Sequence, residues 1–124
     1  MGLFELLRKM QSRDHDGPIY TATGEAGALL DAVRRVRDPE SGVSVVEMGY
    51  FRSVEIRGET AWIRMTLNCP DCPEGLTIRS HVEEVVKEMG YLPRIGFVFT
   101  PRWTPEDISE AGQALLGTPS VQMG

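Results

Sequence analysis

A two-residue alternation of apolar and other side chains, ending at residue 68, constrains this fold most strongly. In its second half the two sets are Ala61, Ile63, Met65 and Leu67 against Trp62, Arg64, Thr66 and Asn68. Because successive side chains of a strand point to opposite faces, the pattern predicts a strand with one buried face. Gly58-Glu59 separates it from a similar run around Val54 and Ile56, which predicts a β-hairpin over residues 43–68, with a bulge at Gly49.

Three segments around this hairpin carry the spacing of amphipathic helices. Helices are expected over residues 25–37 and 77–89, with Thr77 as the N-cap of the second and Gly90 as its end. A strand over residues 94–100 follows. Thr104 then caps a last helix that ends at Gly117. The side chains expected to face inward from that helix are Ile108, Ala111, Leu115 and Leu116.

The order of these elements is α-β-β-α-β-α, which predicts an α+β fold. A small three-stranded sheet, made of the hairpin and one further strand, with helices packed against it would bury the apolar stripes together. Residues 25–117 are the expected domain. Residues 1–24 form an N-terminal amphipathic segment, helical over 3–11, and a polar linker, and residues 118–124 are expected to be a flexible tail.

Charge and hydropathy exclude several classes of function. The net charge of -5 gives no general attraction to nucleic acid. No apolar run approaches the roughly 20 residues that span a bilayer, and no signal peptide is recognisable, so the cytoplasm is the expected location. The chain also lacks the Gly-rich phosphate loops and the HExxH and Ser-His-Asp patterns of nucleotide-dependent enzymes and hydrolases.

The segment Cys69-Pro70-Asp71-Cys72 is the candidate functional loop. Two intervening residues make a loop too short for an ordinary structural disulfide, so the spacing favours metal or redox chemistry. The loop precedes a helix, whose unpaired N–H groups stabilise the thiolate that binds soft metals or attacks disulfides.

Two thiolates are only half of a four-ligand zinc or iron–sulfur site. Asp71, Glu74 and His81 are the local candidates for further ligands, although His81 is more simply explained as a partly buried side chain with a hydrogen-bond partner. A symmetric homodimer that brings two loops together would also complete the set and would hold a cluster loosely enough for transfer.

Four motifs resemble, in order and spacing, the iron–sulfur cluster assembly domain family typified by the SufT and PaaD proteins. The motifs are residues 36–40 (VRDPE), 45–49 (VVEMG), 72–73 (CP) and 101–104 (PRWT). The resemblance implies an α+β fold and a role in maturing iron–sulfur clusters or delivering them to client proteins, together with other assembly factors. The implied cargo is a transient iron–sulfur cluster or iron, with zinc as another possibility.

The resemblance also implies site residues. Cys72 matches the reactive cysteine of the family's Cys-Pro motif, and Asp38 and Glu40 match its Asp-Pro-Glu motif. Asn68 and Cys69 stand where the family usually carries two threonines. With Thr66 at the end of the preceding strand, these residues form the candidate site.

Three functions stay open at this point. The first is an assembly or carrier factor, in preference to a turnover enzyme. The second is a thiol–disulfide redox protein, because CxxC before a helix is also the thioredoxin arrangement. The third is a non-catalytic adaptor of a multicomponent oxygenase, anchored through Leu3, Phe4 and Leu7.

Overall fold

The computed structural model describes residues 17–116, so the predicted helix over residues 3–11 and the predicted tail lie outside the described range. The elements are α1 (Gly24–Val33), β1 (Phe51–Arg57), β2 (Thr60–Met65), α2 (Glu74–Glu88), β3 (Leu92–Phe97), a 3-10 helix (Pro105–Asp107) and α3 (Glu110–Leu116). This confirms the α+β class and the order α-β-β-α-β-α.

The three strands form one mixed sheet in the order β1-β2-β3. β1 and β2 are antiparallel, as the hairpin prediction requires, whereas β3 lies parallel to β2. A parallel pair needs a crossover connection, which α2 supplies. Helix α2 packs against β3, and α1 packs against β1 and α2. The predicted apolar face of β2 is confirmed, because Ala61, Ile63, Met65 and Leu67 are all buried.

The hairpin is shorter than predicted because residues 43–50 form turns and not a strand. Their apolar side chains are nevertheless core residues, among them Val45, Val46 and Tyr50, which are fully buried. Backbone hydrogen bonds hold this segment in place, such as Val45 N–H to Val36 O at 2.9 Å. The predicted bulge at Gly49 is wrong, since the register irregularity falls between Phe51 and Ser53.

Both long helices differ from prediction at one end. Helix α1 ends at Val33 and not at residue 37, because the chain turns there and Arg37 pairs with Ser44 in an isolated bridge. Helix α2 begins at Glu74, so Thr77 lies inside it and Pro73 occupies the N-cap position with a helical φ of -63°. Proline is favourable at a helix start because its ring fixes φ near that value.

The C-terminal helix is interrupted. Thr104 and Asp107 form the predicted capping box, with Thr104 N–H donating to Asp107 Oδ2 at 3.1 Å, but they cap the 3-10 helix. Ile108 then adopts an extended backbone, which changes the helical phase. Ile108 is buried as predicted, whereas the inward orientation of Ala111, Leu115 and Leu116 is wrong because all three are exposed.

Part of the predicted linker is fixed on the domain. Ile19 packs against the core, and its N–H donates to Phe51 O at 2.9 Å. The Tyr20 hydroxyl donates to the Asp107 backbone carbonyl. Across residues 17–116, none of the helices has the length and apolar character needed to cross a membrane.

Candidate functional site

The Cys69–Cys72 loop is a tight turn between β2 and α2. Cys72 N–H donates to Cys69 O at 3.2 Å, and Gly75 N–H donates to Cys72 O at 3.1 Å, so the turn continues directly into the helix. The turn places the two cysteine Cα atoms 5.4 Å apart, and the sulfurs form a disulfide. The expectation that this spacing is too short for a disulfide is therefore wrong, because an i to i+3 turn gives the ordinary Cα separation of a disulfide.

A shallow recess brings five of the predicted site residues together. Its lining includes Asp38, Glu40, Asn68, Cys69 and Cys72. Glu74 also lines it, whereas Leu67, Gly75 and Ile78 form its apolar part. Its volume is about 10 Å³, which is too small to enclose a cluster. Both cysteines are half-buried, and Glu40 is exposed.

Asp38 is held by a hydrogen-bond network at 3% exposure. Its carboxylate accepts hydrogen bonds from the Tyr50 hydroxyl at 3.1 Å, the Ser41 hydroxyl at 3.2 Å and Glu40 N–H at 3.2 Å. Its backbone N–H donates to Val43 O at 2.8 Å, and its carbonyl accepts from Gly42 N–H at 2.7 Å. Asp38 thus shapes the turn that carries Glu40 to the cysteine loop.

Tyr50 is the buried donor to this carboxylate, and sequence reasoning missed it. Burial raises the pKa of Tyr50, and the adjacent Asp38 carboxylate raises that pKa further through its charge and its hydrogen bond. The tyrosine therefore stays protonated and keeps donating at all ordinary pH values. Its ring packs edge-on against Trp103 at a centroid distance of 6.0 Å.

Gly75 is a second residue that the sequence analysis did not select. A Cβ on this residue would lie 2.6 Å from Leu67 Cδ1. Because Gly75 has no side chain, the first turn of α2 can approach the end of β2. The cysteine loop connects these two elements. A glycine two positions after a Cys-Pro pair is a signal that could have been noticed.

Thr66 and His81 lie away from the recess lining. Thr66 is fully buried, and its N–H donates to Tyr50 O at 2.7 Å, while its hydroxyl has no hydrogen-bond partner within residues 17–116. His81 is exposed, so its expected partial burial is wrong. It lines a separate recess with Arg35, Arg37 and Glu84.

The described residues contain no complete metal site. Within residues 17–116, no three or more Cys, His, Asp or Glu side chains are grouped so that they could hold a metal ion. Asp71 is exposed and is absent from the recess lining. In the described range the loop therefore brings together two sulfurs but no complete set of metal ligands.

A second cavity of about 200 Å³ lies beside the loop, sharing Leu67 and Asn68 with the recess. Pro70, Phe99, Arg102 and Trp103 complete its lining. The indole N–H of Trp103 donates to Met48 O at 2.7 Å, and the ring packs against the core. These contacts make Trp103 a packing residue at the margin of the core.

Comparison with known proteins identifies the family. Residues 27–91 match the family described as iron-sulfur cluster assembly protein. The chain is 32% identical over 95 residues to the Fe-S protein maturation auxiliary factor YitW of Bacillus subtilis, covering 72% of this chain and 90% of that protein. It is 31% identical over 85 residues to the Fe-S protein maturation auxiliary factor SufT of Staphylococcus aureus, covering 66% and 97% of the two chains.

The fold is similar to a solved structure as well. A crystal structure of a domain of unknown function from Bacillus anthracis superposes with a TM-score of 0.70 at 28% identity, covering 74% of this chain and 91% of that one. The cysteine loop, the Asp38 turn and the helix that follows the loop all lie within the matched residues. The chain belongs to the iron–sulfur cluster assembly protein family.

Proposed function

We propose that this protein is an iron–sulfur cluster maturation factor that holds iron or a cluster in transit at the Cys69–Cys72 loop and passes it to client metalloproteins. The observation that carries the proposal is the recess in which both cysteines meet Asp38 and Glu40. Two relatives that are named Fe-S protein maturation auxiliary factors support a general role in iron–sulfur protein maturation. Client iron–sulfur proteins and other assembly factors in the cytoplasm are the proposed partners.

Binding requires the reduced loop. Two electrons and two protons convert the disulfide to two thiols, and loss of the protons on metal binding gives two thiolate ligands. The start of α2 lies two residues after Cys72, and its positive end favours thiolates there. Glu40 and Glu74 add negative charge at the mouth of the recess, which attracts a ferrous ion.

An incomplete ligand set suits transfer. With two sulfurs from one chain, the remaining ligands would come from a second copy or from the client, and either can leave without unfolding the protein. Zinc would compete for the same thiolates. Light scattering with and without bound iron would distinguish the dimer from direct sharing with a client.

The test is anaerobic reconstitution with ferrous iron and sulfide after reduction, read by visible absorbance, iron content and transfer to an apo-ferredoxin. We expect Cys72→Ser to lose bound iron and transfer, and Cys69→Ser to reduce both. Asp71→Asn is the matched control, since Asp71 belongs to the loop but lies outside the recess. Equal iron content in the wild type and the double cysteine variant would overturn the proposal.

The disulfide supports a second candidate, a thiol–disulfide redox role for the same loop. Titration in glutathione and dithiothreitol buffers, followed by thiol alkylation, would give its reduction potential. A potential within the cytosolic range of about -220 to -320 mV would support redox response in the cell, and a much lower value would argue against it. The adaptor alternative rests on residues 1–12, which lie outside the described range.

A further inference from the structure

One face of the sheet carries an exposed tryptophan among arginines. Trp62 lies at the centre of this face and is 44% exposed. In the strand register it stands opposite Glu55 of β1 and Arg94 of β3, and Arg64 stands opposite Ser53 and Gly96. With Arg57 and with Arg79 at the rim, these residues line an open surface cavity of about 560 Å³. We call the set Arg57, Trp62, Arg64, Arg79 and Arg94 the arginine face.

Two of these cations lack a compensating charge. Arg57 pairs with Glu55 at 3.2 Å and lies 5.5 Å from the Trp62 ring centroid, and Arg79 pairs with Glu83 at 3.3 Å. No ion pair joins Arg64 or Arg94 to any residue of the range 17–116. The face is therefore locally positive on a chain whose net charge is -5.

We propose that the arginine face docks an acidic segment of a partner protein, with carboxylates on Arg64 and Arg94 and an apolar or aromatic side chain on Trp62. Arginine forks bind carboxylates bidentately, and arginine and tryptophan are enriched at the energetic centres of interfaces. The face shares no lining residue with the cysteine recess, so this proposal does not rest on the proposed function.

Charge complementarity favours an acidic segment of a partner protein over a second copy of this chain, the chain's own segment 1–16 or nucleic acid. A second copy docked through the same face in a two-fold dimer would bring arginines against arginines. The segment 1–16 of this chain carries Glu5, Asp14 and Asp16 against Arg8, Lys9 and Arg13, so it supplies no net negative charge. Nucleic acid would meet the overall negative charge of the protein at longer range.

The test uses a fluorescein-labelled peptide, Glu-Tyr-Glu-Glu-Tyr-Glu, and its counterpart with Gln in place of every Glu. Fluorescence anisotropy at low salt measures the affinity of each for the full chain. We expect Arg64→Glu and Arg94→Glu each to weaken binding of the acidic peptide about five- to tenfold, because each removes one attraction and adds one repulsion. Trp62→Leu should weaken binding of both peptides.

The matched control is Lys87→Glu, which makes the same charge change on the exposed side of α2. It should leave the affinity within about twofold of the wild type. Equal losses in Lys87→Glu and Arg64→Glu, or no binding of the acidic peptide by the wild type, would overturn the proposal. Tighter binding to phosphatidylglycerol vesicles or to single-stranded DNA than to the peptide would overturn it too. Iron reconstitution of Arg64→Glu should match the wild type, which keeps this test separate from that of the cysteine loop.

Discussion

Asp38 shows how one residue of a sequence motif can shape the recess through buried hydrogen bonds. Its carboxylate is buried and accepts from Tyr50, Ser41 and the backbone of Glu40, while Glu40 itself is exposed at the recess. The first and last residues of the motif Asp38-Pro39-Glu40 therefore have different roles. Asp38 shapes the turn, and Glu40 presents an exposed carboxylate. A buried carboxylate is tolerated because its oxygens are hydrogen-bonded.

Removing the Asp38 carboxylate should therefore destabilise the fold. We expect Asp38→Ala to lower the free energy of unfolding by about 1–3 kcal/mol, because the Tyr50 hydroxyl is left buried without its acceptor. Urea unfolding measures the effect, and Glu40→Gln is the control, with an expected change within about 0.5 kcal/mol for an exposed side chain. An Asp38→Ala protein as stable as Glu40→Gln would show that the network does not hold the turn.

Tyr50 makes the stability depend on pH at alkaline values. Its pKa is raised in the folded state, so above about pH 10 the unfolded chain releases a proton that the folded chain keeps. The free energy of unfolding should be insensitive to this group below that pH and should fall as the pH rises above it.

Tyr50→Phe should make the alkaline decline shallower, although Tyr20, whose pKa is also raised by burial, leaves part of it. Urea unfolding of both proteins at pH 8 and pH 11 measures the two slopes. Parallel declines in the wild type and Tyr50→Phe would contradict this assignment.

At the scale of elements, the turns over residues 43–50 connect the sheet to the C-terminal region. The Glu47 carboxylate accepts hydrogen bonds from Arg34 after α1 and from Ser109 before α3. Gly49 has a φ of +79°, and a Cβ there would overlap the backbone carbonyl of Asp107. This glycine is required both by its backbone conformation and by the close approach of the 3-10 helix.

A comparison of Gly49 with Gly58, which also has a positive φ, separates the cost of the backbone conformation from the cost of the close contact. Gly58 has a φ of +58° at the hairpin turn but open space around it. We expect Gly58→Ala to cost about 1–2 kcal/mol for the left-handed conformation alone. Gly49→Ala should cost at least about 2 kcal/mol more, since backbone must also move. Thermal and urea unfolding of the pair measure the difference, and equal losses would mean that the contact with Asp107 is not restrictive.

The elements differ in how far the sequence predicts them, and the reason is physical. Residues 60–67 follow a local period of two, so the strand and its buried face were predictable. Residues 43–50 have no period, because long-range hydrogen bonds and packing decide which side chains are buried. The break at Ile108 likewise coincides with a long-range contact, since the N–H of Ser109 donates to Glu47 O at 2.8 Å.

The candidate site is likewise only partly predictable from local sequence patterns. The cysteines and the Asp-Pro-Glu motif are visible in the sequence, but their meeting in one recess depends on the packing of the turn after α1 near the start of α2. Tyr50 and Gly75 serve the site through contacts that only the fold creates. His81 has the right chemistry for a ligand, yet its helical position places it in another recess.

For the whole molecule, the core is independent of the disulfide. Fully buried residues from α1, the turns, the sheet and α2 join in one cluster, and the Cys69–Cys72 bond closes only a four-residue loop at its margin. The fold should therefore persist in the reduced form that the proposed metal binding requires.

Reduction should lower the free energy of unfolding by no more than about 2 kcal/mol, the loop-entropy estimate for so short a loop. Urea unfolding with and without a phosphine reductant measures this loss. A variant with serine at both cysteine positions should show no dependence on the reductant. Unfolding of the wild type on reduction alone would make the loop a structural staple and remove the basis for cargo binding.

The parallel pairing of β2 with β3 has a consequence for synthesis on the ribosome. All residues that line the cysteine recess lie between positions 38 and 78, whereas the third strand begins at Leu92. Until that strand emerges, the side of β2 that β3 covers is an unpaired sheet edge that leads directly into Cys69 and Cys72. A chain stalled at this stage would expose both cysteines beside an unpaired edge, and the pairing of the last strand removes that edge as well as completing the sheet.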